Sequence, residues 1–159
     1  MLTASPDTKV YHLLIEFEDG TTEPEVKAIL EKYNMTMNTI EYNSDLQPER
    51  YYLKVDADKR MGVRDELRKD ENWTDHIYFN HDIKKGNSYI ITVTEQAIQD
   101  ENFLAILEKD NLQVKNSVLC CITLGDGAKN WIWESDERKI ENELKMNEKV
   151  LTVVFSGST

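Results

Sequence analysis

Hydrophobic and polar residues alternate over 10–17, with Tyr11, Leu13, Ile15 and Phe17 on one face and His12 and Glu16 on the other. A period of two marks a strand. Asp19-Gly20 turns the chain. Thr22 followed by Glu23-Pro24-Glu25 then opens a helix: a hydroxyl to cap it, proline in the first turn, carboxylates near the positive end of the dipole. Val26, Ile29, Leu30 and Tyr33 recur at helical spacing, and Asn34 suits the exit. Beyond it the pattern predicts a strand over 35–42, a loop over 43–49 and a strand over 51–55. A helix follows Asp56 or Asp58, lined by Met61, Val63 or Arg64, and Leu67, and a strand over 73–79 closes the series. This order, strand-helix-strand twice over, is that of the split βαβ unit of ferredoxin-like folds.

The order then recurs. Residues 88–94 read as a strand and 100–109 as a helix with Phe103, Ile106 and Leu107 inward. Residues 112–124 form a long strand region ending in the turn Gly125-Asp126-Gly127. Trp131-Ile132-Trp133 matches Tyr51-Tyr52-Leu53 as a strand, Ser135 or Asp136 caps a helix facing inward through Ile140 and Leu144, and 150–155 is the last strand. The residues repeat as well as the pattern. Ala-Ile-Leu-Glu-Lys stands at 28–32 and again at 105–109, an offset of 77. Asn34 with Asn111, Glu66 with Glu143, Leu67 with Leu144 and Glu71 with Glu148 keep that offset. Matches over so long a span predict a duplicated unit. The expected architecture is therefore α+β: two tandem ferredoxin-like (βαββαβ) repeats packed together through sheet faces. A leader over 1–9, repeats over 10–80 and 88–156, a linker over 81–87 and a tail over 157–159 complete the division.

The packing expectation rests on strands apolar on both faces. Residues 118–122 and 150–155 are such runs, and a strand covered on one face only should alternate. On the outer face of the first repeat Leu14, Tyr52 and Tyr78 remain as an apolar surface, and in the second Trp131 and Trp133 share a strand face. These five are the candidate partner-binding residues, for a protein partner or for a second copy in a homodimer.

Charge narrows the partners. With 30 acidic and 19 basic side chains the chain has a formal net charge of -11, and no basic stripe accompanies its aromatics. Nucleic acid is therefore not an expected partner, because binding there relies on clustered cations. No run of 18 apolar residues exists to span a membrane as a helix. Cys120 and Cys121 are neighbours, and adjacent strand residues point to opposite faces, so they read as two small apolar residues of a buried strand rather than a disulfide.

Catalytic chemistry has no foothold in this pattern. His76 and His81, with Asp75 and Asp82, hint at a metal site, but the two histidines fall on opposite strand faces and a third ligand is missing nearby. His12 reads as a sheet-surface residue. Asp56-Ala57-Asp58 lacks the later ligands of a calcium loop. No serine, cysteine or lysine has a base beside it in a known motif. The expectation is a non-enzymatic protein without cofactor or metal. Asn34-Met35-Thr36 and Asn72-Trp73-Thr74 match the glycosylation sequon and matter only on export.

Two resemblances add to this reading. Leu14-Ile15-Glu16-Phe17, residues 25–31, 51–56 and 66–73, and Asn142-Glu143-Leu144-Lys145 resemble an uncharacterised family of methanogenic archaea, over residues 10–155. That family implies no activity. Its members often begin with a hydrophobic segment, which would imply export or membrane anchoring. Each half, with Asp19-Gly20-Thr21-Thr22 before a helix and Asp70-Glu71-Asn72 before a strand, also resembles subtilisin propeptides, which lay a sheet on the protease and feed a C-terminal tail into its cleft. The corresponding tails are 80–82, occupied as a linker, and 156–159. The leading expectation is a binding or interaction protein of the protease-inhibitor kind. The alternative is a small-ligand sensor binding between the repeats, with Asn34 and Asn111 as the residues to test against their plainer role as helix caps.

Overall fold

The computed structural model describes residues 8–32, 37–42, 50–69, 79–125 and 129–158. It is a mixed α and β structure with two antiparallel sheets. The strands are β1 (Lys9–Phe17), β2 (Met37–Tyr42), β3 (Tyr51–Asp56), β4 (Phe79–Lys85), β5 (Ser88–Val93), β6 (Lys115–Asn116), β7 (Val118–Leu124), β8 (Ile132–Trp133) and β9 (Val150–Ser158). The helices are α1 (Glu23–Lys32), α2 (Arg60–Leu67), α3 (Glu95–Ile98), α4 (Glu101–Lys109) and α5 (Glu134–Lys145), with a short 3₁₀ turn, Ala57–Lys59, leading into α2.

The sheets do not follow the two sequence halves. One contains β2-β7-β1-β9 in that order, with the two-residue β8 against the start of β1. The other is β4-β5-β3-β6. Two compact units result: an outer one from Met1–Gln47 with Val118–Thr159, and an inner one from Pro48–Ser117. The first and last strand-helix-strand segments of the chain share a sheet, and the middle two share the other. A boundary at 81–87 is accordingly not observed.

The reason lies in the residues expected to be a linker. Phe79–Lys85 pairs with Ser88–Val93 as a hairpin, with Lys85 opposite Ser88 and only Gly86-Asn87 between. Gly86 has φ +61, and glycine in the first position of a two-residue loop is what a type II′ hairpin turn needs. So short a turn forces β4 beside β5. The second segment is thereby tied to the third, and the first is left to pair with the fourth.

In the outer unit the core is Val10, Leu13, Ile15 and Phe17 of β1, Val26, Ile29 and Leu30 of α1, Cys120, Ile122 and Leu124 of β7, Leu144 of α5, and Val150 and Val153 of β9. A bulge between Val10 and His12 puts Val10, not Tyr11, into this core. Leu119 and Leu151 lie outside that cluster and are buried too, as runs apolar on both faces require. At α1, Thr22 Oγ1 accepts from Glu25 N at 3.4 Å, and Glu23 and Glu25 occupy the first turn. α5 starts one residue earlier than Ser135, after Trp133, and has no side-chain cap. β9 runs on to Ser158, with Ser156 opposite His12 and Gly157 opposite Val10, so the expected tail is strand as far as Ser158. Gly157 lies so close to β1 that a Cβ there would meet Lys9 O at 2.4 Å.

In the inner unit α4 shows how sequence sets local structure. Asp100 Oδ1 accepts from Phe103 N at 3.0 Å, a cap worth about 1 kcal/mol. Phe103 and Leu107 bury the inner face against Leu53, Val55, Val63, Ile91, Val93 and Ala97, each large side chain contributing roughly 1.5–3 kcal/mol. Asn111 then takes φ +58. Its N–H donates to Glu108 O at 3.1 Å while Leu112 N–H donates to Leu107 O at 2.8 Å. That is a Schellman stop, with Asn in the left-handed position. The capping role foreseen for Asn111 is thus what it does; Asn34 lies outside the described residues.

Candidate functional site

The two tryptophans foreseen as an aromatic platform are together in the outer unit. Ile132 pairs with Val10 and turns inward to the core, which leaves Trp131 and Trp133 on the other side of the strand. Their rings meet edge to face, centroids 4.6 Å apart at 73°. Lys9 Nζ lies 4.8 Å and Lys129 Nζ 5.1 Å from the Trp131 centroid. Both distances fall within cation–π range. Trp133 is 41% exposed. Of the other candidates, Leu14 is half-buried on the β1 face away from the helices, paired with Cys121 and Val154. Tyr52 belongs to the inner sheet and, at 2% exposure, presents no surface. Tyr78 lies outside the described residues.

A second site was not expected from the sequence, although Asp56, Asp58 and Asn111, each singled out there for another reason, line it. In the inner unit a cavity of about 550 Å³ opens between β3, α2 and the end of α4. Lys54, Asp56, Asp58, Lys59, Glu66 and Asp110 line it with charge. Glu66 Oε2 is shut in without a hydrogen-bond partner, and Oε1 lies 3.8 Å from Lys109 Nζ. Gly62 forms part of the wall, and a Cβ built on it meets nothing within 4 Å. The outer unit has a hollow of about 510 Å³ between α1 and the turn after α5. There Lys149 pairs with Glu25, and that hydrogen bond holds the Glu25 carboxyl below the usual range.

Titratable groups elsewhere are ordered by burial. Burial pushes the Cys120 thiol up to about 12, with Cys121 and Glu23 adding to the effect. Cys121 is raised by burial and by Glu41. Neither thiol supplies a thiolate near neutrality. His12 is exposed, its Nδ1 3.4 Å from Ser156 Oγ. Asp82, named with the histidines as a metal ligand, instead bonds Arg64 at 2.5 Å. His76 and Asp75, and the side chain of His81, lie outside the described residues. Among the described residues no group of three or more His, Cys, Asp or Glu side chains is placed to hold a metal. No described helix is long and apolar enough to cross a membrane.

Sequence reasoning passed over one residue. Glu137 of α5 is 0% exposed, and apart from the neighbouring Glu141 carboxyl its oxygens have no hydrogen-bond partner among the described residues. Its position was legible: 137, 140 and 144 form one helical stripe, and the latter two were read as inward. Burial and the neighbouring Glu141 push the Glu137 carboxyl up to about 7.

Fold and sites together define an α+β protein of two units, each with a hollow beside its helices and one with an aromatic pair on its surface. The chain belongs to the uncharacterised protein family UPF0228, whose family model matches residues 35–158. It is 80% identical over all of its 159 residues to a UPF0228 protein of Methanosarcina acetivorans, and spans 46% of that relative's length. A second UPF0228 protein of the same archaeon is 49% identical over 160 positions, covering 96% of this chain and 85% of the relative. One from Methanosarcina mazei is 50% identical over 157 positions, covering 93% and 81%. The archaeal resemblance seen in the sequence is therefore a family membership. No solved structure matches the chain.

Proposed function

We propose that this is a non-enzymatic binding protein of two ferredoxin-like βαββαβ units, derived by duplication, whose inner unit takes a small cationic or zwitterionic molecule in its cleft. The cavity of about 550 Å³ carries this reading. Its size suits a small metabolite, since such sites span roughly 300–1,000 Å³. Four carboxylates, from Asp56, Asp58, Glu66 and Asp110, face two ammonium groups, from Lys54 and Lys59. A ligand with a positive charge meets the majority, and a carboxylate on the same ligand would meet the lysines. The Schellman turn at Asn111 holds one wall in a fixed backbone conformation. In this reading the ligand sits within one unit rather than between the repeats, with Asn111 among the lining residues.

Thermal unfolding of the whole chain with amino acids and polyamines tests the reading. A true ligand at a hundred times its Kd raises stability by about 2.7 kcal/mol. Gly62→Phe should remove that gain, because the ring would occupy the cleft from an open helix position. A panel without any shift, or a shift that survives Gly62→Phe, removes the cleft from the reading.

A protein partner is the second reading, and exposed Trp133 beside Trp131, with half-buried Leu14 on the same sheet, supports it. Aromatic anchors of this kind concentrate binding energy. The propeptide version needs a free C-terminal tail, and Ser156, Gly157 and Ser158 are paired to β1. Stoichiometric inhibition of subtilisin-like proteases, lost on removing 156–159, would support it. Indifference across such a panel would leave the cleft reading.

A further inference from the structure

α5 distributes its charges unevenly. Glu134 has Arg138 one turn on, at 2.9 Å, and Glu141 has Lys145 one turn on, at 2.6 Å. Glu137 has Glu141 at that spacing, and Glu134 three residues before it. The stripe therefore gives Glu137 two neighbours of its own sign and engages the nearest cations elsewhere. Its side chain is 0% exposed, and apart from the Glu141 carboxyl neither oxygen has a hydrogen-bond partner among the described residues.

The elements under α5 offer no compensation. β8 and β9 contain no ionisable side chain. On β1, Lys9 lies over the Trp131 ring, while Tyr11, His12 and Glu16 lie off the face formed by Val10, Leu13, Ile15 and Phe17. Among the described residues the charged groups that act on Glu137 are those of its own helix: Glu141 opposes its ionisation by charge and by a hydrogen bond that needs the proton, Glu134 opposes it by charge, and Arg138 favours it. A buried carboxylate whose nearest polar neighbour is a second carboxylate is held more cheaply as the neutral acid, which can share its proton with that neighbour.

We propose that Glu137 takes up a proton as the outer unit folds, so that α5 docks on its sheet with a neutral carboxyl and loosens when rising pH removes that proton. The helix is then a strap responsive to pH in the range around neutrality. The direction follows from linkage: the folded chain binds the proton more tightly than the unfolded chain, so this contribution is complete below the unfolded value of 4.5 and declines as pH passes about 7. On that displacement the unfolding equilibrium constant rises by roughly a hundredfold between about pH 5 and pH 8 through this group alone.

Carbon-13 NMR of the glutamate carboxyls in the whole chain should show Glu137 titrating near 7, and Glu141→Gln should move that titration downward. Denaturant unfolding and amide exchange of α5 should weaken from pH 5 to pH 8 in the wild type, and E137Q should remove most of that slope. A Glu137 carboxyl that titrates near 4.5, or an E137Q chain that keeps the wild-type slope, overturns the proposal. If E137Q does not fold, the wild-type carboxyl titration decides alone.

Discussion

α2 and α5 each bury a charged side chain against a sheet, and they treat it oppositely. In the inner unit Arg64 of α2 meets Asp82 of β4, with side chains only 15% and 10% exposed. In the outer unit Glu137 of α5 meets no counter-charge. The two helices stand 77 residues apart, the offset of the matched segments, and Arg64 falls on Glu141. Helix length and apolar spacing tolerate such exchanges of charge. What they change is the electrostatic state of the core: one unit holds an ion pair, the other an acid without an ion-pair partner. Opposite responses to truncation follow.

Three substitutions sharpen that contrast. Asp82→Ala strands the Arg64 guanidinium in a nearly buried position, and urea unfolding should show the inner unit losing about 3 kcal/mol. Glu137→Leu should do the reverse for the outer unit: a gain of about 2 kcal/mol at pH 8, shrinking toward nothing at pH 4, where the wild-type acid is already neutral. Calorimetry at both values reads the sign. Asp100→Ala removes the α4 cap and should cost about 1 kcal/mol in the inner unit, read by urea unfolding.

Local structure was legible because its causes are local. Thr22 announced the start of α1 and Asn111 the end of α4, and the apolar spacing named Phe103 and Leu107, while Asp100, expected inside the helix, is its cap. The strand expected over 73–79 lies, except for Phe79, outside the described residues, while Phe79–Lys85 is a strand that the pattern does not mark, and one residue explains why. Asp82 sits opposite Ile91, on the face of the core, because Arg64 meets it there. An ion pair on the inner face erased the alternation that marks a strand, and 81–87 was read as a polar linker. Once that hairpin was missed, the assignment of segments to sheets failed with it, since pairing between distant strands leaves no periodic mark. Trp131 and Trp133 were found through their alternation about Ile132. The inner cleft was not, because its lining comes from three separate elements and no spacing in the chain joins them.

The nesting of one unit within the other also orders events during synthesis. All strands of the inner sheet have left the ribosome once Asn116 has emerged. β1 must wait for β7 and then β9, and its pairing of Lys9 with Ser158 comes long after the inner strands have emerged. The inner unit can therefore close while β1, α1 and β2 still lack partners, and their apolar faces stay open until the C-terminal segment arrives. Among nascent chains, the outer unit's first strand is where handling by chaperones and erroneous pairing between neighbours will concentrate.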